Sequence, residues 1–197
     1  MKRTRRTQQQ RRDETSQAVL ESATHLFGAR GYQGASLEEI AHTSGTTIRP
    51  IYHYFGNKQN LFLVVTEQME EQLFKALLEV DKAHDGAIAV VDYWNTFMNF
   101  ARDPGFRQIV LVDAPTVLGR ERWDSSPVVA RAIELLSSML PNMQAQTRLL
   151  IARMAVAALI EAAMSMAEPG NTHKEQAFDD VSAMIKTALQ SITVVGF

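Results

Sequence analysis

The sequence predicts an all-α protein of about nine helices in two domains. Apolar residues recur at spacings of three and four along most of the 197 residues, and no long stretch alternates polar and apolar positions. Glycine and proline separate these stretches where helices would end. The helices are predicted, in order, at about 13–30, 36–42, 48–55, 57–83, 87–102, 106–112, 126–140, 144–167 and 172–192.

Local signals support the boundaries of the early helices. Ser36 and Glu39 form a capping box, in which each side chain satisfies a backbone N–H of the other residue. Gly31 and Gly56 suit the ends of the first and third helices, because glycine adopts the left-handed conformation found past a helix end. Gly45 suits a tight turn between the second and third helices for the same reason.

Composition is that of a globular protein, with 46% hydrophobic and 21% charged residues. No uncharged apolar run approaches the length of a membrane span, and no apolar stretch follows the basic N-terminus as a secretory signal would require. The absence of cysteine excludes disulfides, thiolate metal sites and thiol catalysis. We therefore expect a cytoplasmic protein that does not enter a membrane.

Positive charge is concentrated near the N-terminus. Residues 1–60 carry nine Lys and Arg against five Asp and Glu, whereas the remaining residues carry eleven against seventeen. This asymmetry predicts that the first part of the chain meets a polyanion. Six of the first twelve residues are basic and none is acidic. Residues 1–12 are either an arm that neutralises phosphates or a solvated, disordered tail.

Residues 36–55 have the pattern of a helix-turn-helix, with two short helices joined by a glycine-containing turn. Ile40 and Ala41 of the first helix, and Ile48 and Ile51 of the second, are predicted to face inward. The other side chains are hydroxyl-bearing, aromatic or cationic, and such groups suit the base edges and phosphates of a DNA major groove. They are Thr46, Thr47, Arg49, Tyr52, His53 and Tyr54.

Residues 13–60 resemble the DNA-binding domain of the TetR family, the tetracycline-repressor-like regulators. The resemblance rests on an ordered series of motifs: Leu26-Phe27, Gly31-Tyr32, Ser36-Leu37-Glu38-Glu39-Ile40-Ala41, Gly45-Thr46-Thr47 and Ile51-Tyr52-His53-Tyr54-Phe55-Gly56-Asn57-Lys58. It implies a three-helix DNA-binding domain at 13–60, and it does not cover the basic arm at 1–12. It also implies a helical ligand-binding and dimerisation domain at 61–197.

The resemblance assigns roles by position. The matching positions are Ser36 and Lys58 for phosphate contacts, Thr46 and Thr47 for the start of the recognition helix, and Tyr52, His53 and Tyr54 for an aromatic cluster that touches phosphates and bases. Arg49 departs from the family's pattern, in which a small residue is common, so it is expected to contact either a guanine edge or a phosphate. Packing for Tyr52, and simple solvent exposure for His53 or Lys58, stay open.

The C-terminal half contains a candidate pocket for an unknown small-molecule effector. Ligand pockets are lined by aromatic and apolar side chains with few polar anchors. The candidate lining residues are Tyr93, Trp94, Phe97, Met98, Trp123 and Met154. The same residue types at helical spacing also fit an ordinary core, so both interpretations stay open.

The last two predicted helices are candidates for a homodimer interface. Small side chains on the first of them would allow close helix approach, and the second carries a heptad-like apolar stripe. The candidate interface residues are Ala155, Ala158, Ala162, Phe178, Val181 and Ile185. The family resemblance implies a four-helix interface here, although the same stripes could pack only within their own domain.

The sequence thus predicts a repressor that binds a palindromic double-stranded DNA operator as a dimer and is released by a ligand. The alternative is a partner-regulated or architectural DNA-binding protein without a small-molecule effector. We expect no enzyme, cofactor or metal site, because hydrolase, zinc-protease and phosphate-loop motifs are absent and the five histidines are scattered.

Overall fold

Every regular element in the described part of the chain is helical, which confirms the predicted all-α class. The computed structural model describes residues 7–83, 86–119, 122, 126–139 and 142–167, together with 176, 179–181, 183, 184 and 187. The helices are α1 (Gln8–Gly34), α2 (Leu37–Thr43), α3 (Ile48–Phe55), α4 (Lys58–Ala83), α5 (Gly86–Ala101), α6 (Pro104–Phe106), a π-helix (Arg107–Asp113), α7 (Ala114–Val117), α8 (Pro127–Met139) and α9 (Ala145–Ala167).

The chain forms two compact units. The first contains the chain up to Met69 together with Pro104–Gly119, and the second contains Glu70–Asp103 and the chain after Gly119. Helix α4 therefore contributes residues to both units. The first unit includes residues 61–69 and 104–119, which the sequence assigns to the C-terminal domain.

Helix α1 begins five residues before the position that the sequence predicts. Thr7 caps it: the Thr7 Oγ1 accepts from the backbone N–H of Gln10 at 3.2 Å, and the Thr7 N–H donates to the Gln10 Oε1 at 2.9 Å. This reciprocal pair is a capping box, which satisfies donors that a helix start otherwise leaves unpaired. The spacing of Thr7 and Gln10 is the sequence signal for this earlier start.

The core of the first unit is built from the apolar stripes of its helices. Phe27 of α1, Tyr32 after the kink at Gly31, and Phe62 of α4 pack as an aromatic cluster with ring centres 5.0–5.9 Å apart. Such edge and offset contacts add to the free energy gained from apolar burial. The other buried side chains around this cluster include Val19, Leu20, Ala23, Leu26, Leu37, Ile40, Ala41, Ile51, Leu61 and Val65.

The segment 104–117 differs from its sequence prediction, which is a helix at 106–112 followed by an irregular connection. It is helical throughout, and its middle is wound as a π-helix, with the N–H of Ala114 donating to the carbonyl of Ile109 five residues earlier. Pro115 has no N–H, and its ring would clash with the carbonyl of Leu111 in a regular α-helix. The wider winding avoids this clash, and apolar periodicity does not distinguish it from an α-helix.

This segment packs against α1 within the first unit. A Cβ atom added to Gly28 would lie 2.9 Å from the Cα of Gly105, so the two backbones approach more closely than any side chain would allow. Further along, the Oδ2 of Asp113 accepts from the backbone N–H of Tyr32 at 2.7 Å and from the Gln108 Nε2 at 3.1 Å. Asp113 thereby satisfies a donor that the kink at Gly31, with φ 72°, exposes.

Replacing Gly28 with alanine should destabilise the protein by about 1–3 kcal/mol, because the new methyl group meets a backbone atom that cannot rotate away. In an unobstructed helix the same change stabilises by about 0.5–1 kcal/mol, so the clash reverses the sign. Urea unfolding checks the prediction. Ala29→Gly at the exposed neighbouring position calibrates helix propensity alone. A stabilising Gly28→Ala change would contradict the close approach.

The core of the second unit is also formed by helices. Helix α9 packs against α8 and α5, and its buried side chains are Ala152, Val156 and Ala163. No helix in the described part of the chain combines the length and apolar character that a membrane span requires.

Candidate nucleic-acid interface

Helices α2 and α3 and the turn between them form the predicted helix-turn-helix. The N–H of Ser44 donates to the Ile40 carbonyl at 3.0 Å and that of Thr46 to the Ala41 carbonyl at 2.9 Å. Gly45 lies between them at φ 68°, in the left-handed conformation that the sequence predicts for this turn. The buried side chains of Ile40, Ala41 and Ile51 hold the two helices to the core.

The opposite face of α3 is open to solvent. Thr47, Arg49, Tyr52 and His53 are exposed, and 52% of Tyr52 remains accessible. Thr47 is the N-cap residue of α3, but its side chain makes no capping hydrogen bond. Thr46 and Tyr54 are half-buried at the edges of the same face. The structure thus brings six predicted DNA-binding residues together on one short helix and the turn before it.

Ser36 lies at the start of α2 and forms hydrogen bonds with Glu39. Its Oγ accepts from the Glu39 N–H and donates to the Glu39 Oε2, both at 3.1 Å. The Ser36 N–H, the Arg30 guanidinium and the Ser36 hydroxyl hold the pKa of Glu39 below its ordinary value. The Arg30–Glu39 ion pair, at 2.6 Å, joins α1 to α2 across nine residues, and sequence spacing gave no signal for it.

Lys58 begins α4 and lies against the aromatic cluster of the first unit. Its Nζ is 4.4 Å from the centre of the Tyr32 ring, and burial lowers its pKa. The ring face carries partial negative charge, which favours an ammonium group placed over it. The Asn57 Oδ1 accepts from the Asn60 N–H at 2.8 Å and so caps the start of α4.

Tyr54 links the recognition helix to the start of α1. Its ring centre lies 5.2 Å from that of His53, and the guanidinium carbon of Arg12 lies 5.9 Å from the Tyr54 ring centre. Arg12 is exposed. The sequence predicts a separate arm at this position, since no local pattern shows which helix the end of α1 approaches.

The predicted ligand-binding residues lie in the second unit. Trp94, Phe97 and Met98 are buried side by side on α5. Tyr93 is half-buried, and its hydroxyl oxygen is buried without a hydrogen-bond partner among the described residues. Met154 is 62% exposed on α9, whereas the α5 group is buried. Trp123 lies outside the described residues.

Three of the six predicted dimer residues lie on α9, on the side of that helix that is most exposed among the described residues. Ala155 and Ala158 are exposed and Ala162 is half-buried, all three on one stripe of the helix. Leu150 and Met154 are exposed beside them. In the last predicted helix Val181 is helical and exposed, whereas Phe178 and Ile185 lie outside the described residues.

Two family models match the chain. The first, described as bacterial regulatory proteins of the tetR family, covers residues 19–65, and the second, the tetracyclin repressor-like C-terminal domain, covers residues 88–190, just over half of the chain. The chain belongs to the TetR family. A TetR-family regulator from Pectobacterium atrosepticum is 25% identical, with a TM-score of 0.67 and 95% of each chain covered.

Curated relatives match shorter stretches. The HTH-type transcriptional repressor AcnR of Corynebacterium jeikeium is 32% identical over 99 residues, 45% of this chain and 51% of the relative. The HTH-type transcriptional regulator AcrR of Shigella flexneri is 35% identical over 81 residues, 41% of this chain and 38% of the relative. The chain therefore spans about half or less of the length of these TetR-family relatives.

Proposed function

We propose that this TetR-family protein is a transcriptional repressor that binds a palindromic DNA operator as a homodimer and is released by a small molecule. The observation that carries the proposal is the solvent-facing side of α3. It presents a guanidinium, an imidazole and a phenol within one eight-residue helix, and a threonine hydroxyl at the N-cap before it, and the buried Ile51 holds the other side of the helix to the core.

These groups suit DNA in two ways. Arg49 presents five N–H donors, and a bidentate contact to the O6 and N7 of guanine is a common form of base recognition. Tyr52 and His53 lie further along α3 and would donate to phosphate oxygens, as Lys58 would at the start of α4. A phosphate beside Lys58 would favour its charged form and so oppose the effect of burial on its pKa.

The uncovered side of α9 supports the homodimer. Leu150 and Met154 are large apolar side chains that are exposed on α9 in the part of the chain that the structure describes, and the alanines beside them would let a second helix approach closely. A two-fold axis at this face would present two recognition helices, and two half-sites about 34–36 Å apart require such a pair.

The second unit supports the effector. Trp94, Phe97 and Met98 provide apolar surface, and the Tyr93 hydroxyl is a buried polar group that a ligand would satisfy with a hydrogen bond. A ligand that binds one conformation of the dimer better would shift the population toward it. Repression is relieved if that conformation places the two recognition helices at the wrong spacing.

Two chain segments would transmit the signal. Helix α4 contributes residues to both units, and the segment 104–119 belongs to the first unit although residues of the second precede and follow it. The contact of Asp113 with the Tyr32 N–H holds that segment to α1. A shift of α5 would therefore reach the DNA-binding unit along the chain in both directions.

The test begins with selection of a duplex from a random pool, followed by fluorescence-anisotropy titration and sedimentation of the complex. We expect enrichment of a palindrome and saturable binding of two chains per duplex. A pool without enrichment, or a one-chain complex, would overturn the proposal. With the operator known, small molecules are screened for release of bound DNA. A molecule that binds the protein but leaves operator affinity unchanged would contradict ligand release.

A further inference from the structure

The kink at the end of α1 is held by a side chain from a distant part of the sequence. At Gly31 the backbone leaves the helical conformation, with φ 72° and ψ 170°, and the N–H of the next residue, Tyr32, donates to the Asp113 Oδ2 at 2.7 Å. The same oxygen accepts from the Gln108 Nε2 at 3.1 Å. A Cβ atom on Gly31 would lie 3.3 Å from that oxygen, so the carboxylate packs directly against the kink. Asp113 therefore fixes the direction in which the chain continues at Tyr32.

Tyr32 carries this constraint to the start of α4. The centre of its ring lies 5.9 Å from that of Phe27 and 5.0 Å from that of Phe62. The Lys58 Nζ lies 4.4 Å from the centre of the Tyr32 ring. The backbone hydrogen bond and the two neighbouring rings hold Tyr32, and the partial negative charge of its ring face attracts the ammonium group. The position of the Lys58 ammonium thus depends on Asp113.

A second contact fixes the residue next to Lys58. The Gln59 Nε2 donates to the Val117 carbonyl at 2.7 Å. Val117 is the last residue of α7, where a carbonyl has no partner within the helix, so the Gln59 side chain satisfies it. The segment 104–117 therefore holds the start of α4 in two places, through Tyr32 and through Gln59.

Lys58 suits an anionic partner that the described residues do not supply. It is half-buried, and no acidic side chain forms an ion pair with it in the ranges that the structure describes. Burial without a counter-ion lowers its pKa. An ammonium group already held over a ring loses little side-chain freedom on binding. A phosphate would therefore bind it at a lower entropic cost than it would bind a freely rotating lysine.

From these contacts we propose that Asp113 is a positioning residue for DNA binding, which holds the Tyr32 ring and thereby directs the Lys58 ammonium to an operator phosphate. The proposal rests on the function proposed above and extends it to a residue outside the helix-turn-helix. Removing a negative charge from a DNA-binding unit ordinarily strengthens binding to a polyanion. The loss of the Asp113 carboxylate should instead weaken operator binding, because the ring next to Lys58 is no longer held.

The first experiment observes Lys58 by NMR in the full chain without DNA. A methylene group over an aromatic ring gives an upfield-shifted signal, so the ε-methylene of Lys58 should differ from those of the other lysines. Lys58→Met removes this signal and thereby assigns it. Asp113→Ala should move it toward the other lysines. Asp113→Asn should leave it in place, because the amide oxygen still accepts from the Tyr32 N–H. A Lys58 signal that is the same in Asp113→Ala would overturn the positioning role whether or not the protein binds DNA.

The second experiment is a double-mutant cycle on the selected operator at one fixed salt concentration. A hydrogen bond to a charged group contributes about 10-fold or more to affinity, so Asp113→Ala should lower operator affinity by about 10-fold and Asp113→Asn by less than about 3-fold. In the Lys58→Met background there is no ammonium to position, and Asp113→Ala should lower affinity by less than about 2-fold further. An equal loss in both backgrounds would show a purely structural role and overturn the proposal, as would a gain in affinity.

Two further variants control for charge and for folding. Glu67→Ala removes one negative charge from an exposed position of α4 in the first unit and should change affinity by less than about 2-fold. Gln108→Ala removes the amide that orients the Asp113 carboxylate and should lower affinity by about 3-fold. It replaces Asp113→Ala in both experiments if circular dichroism shows that Asp113→Ala does not fold. If the starting protein binds no operator, the proposed function fails, and the NMR signal of Lys58 alone decides the positioning role.

Discussion

Alanine at both Tyr52 and His53 should lower operator affinity by about 100- to 1,000-fold while leaving the fold unchanged. Both side chains are exposed on α3. The neighbouring Ile51 is buried and holds the helix to the core. A hydrogen bond to a charged group contributes about 1.5–3 kcal/mol, and water recovers part of that when the contact is lost. The double variant removes four such contacts from a dimer. A loss of about 1 kcal/mol for each gives the upper value, an operator affinity about 1,000-fold lower.

Anisotropy titration at one fixed salt concentration measures this loss, and urea unfolding verifies that stability changes by less than about 0.5 kcal/mol, as expected of surface positions. His25→Ala is the control, because His25 is exposed on α1 outside the predicted surface. Operator binding that survives in the double variant would show that α3 contacts DNA by another face.

The helix-turn-helix could be predicted because its signals are local. The Ser36–Glu39 capping box and the turn at Gly45 depend on residues within three or four positions of one another, and each has the predicted geometry. The contacts of Arg12 with Tyr54 and of Asp113 with the Tyr32 N–H join residues 42 and 81 positions apart. Nothing in the spacing of such residues indicates that they meet. The sequence therefore offers no reason to include Arg12 or Asp113 in the DNA-binding unit.

The π-helix and Met154 show a second reason why the structure differs from what the sequence predicts. Apolar spacing identifies a helix and its buried side, but it does not tell a π-helix from an α-helix or name the partner on each side. Met154 has the residue type of a pocket and is instead exposed beside the alanine stripe of α9. One apolar face of α9 packs within the chain and the other is exposed, and residue type is the same for both.

The ion pair between Glu70 and Arg122 is expected to have the largest effect on stability in the second unit. Two hydrogen bonds join the guanidinium to the carboxylate, at 2.6 and 2.9 Å, and the side chains are 9% and 21% exposed. Removing one partner of a buried pair leaves a charge without compensation, at a cost of about 3–5 kcal/mol. Because Arg122 keeps some access to water, we expect about 2–3 kcal/mol for Glu70→Gln.

The control pair is Glu71 and Lys75, one turn apart on the surface of α4 at 2.8 Å and more than half exposed. Lys75→Ala should cost no more than about 0.5 kcal/mol, since water screens an exposed pair. Urea unfolding at one fixed protein concentration compares the variants, because association would make stability depend on concentration.

The double variant Glu70→Met/Arg122→Met separates the cost of an unpaired charge from the value of the pair itself. Burying two charges costs desolvation free energy that their attraction only partly returns, so apolar side chains of similar volume should restore stability to within about 1 kcal/mol of the starting protein. A double variant as unstable as the sum of the two single ones would contradict this reasoning. If stability returns but ligand-induced release of DNA is lost, the pair holds Glu70 of α4 to Arg122 for regulation rather than for stability.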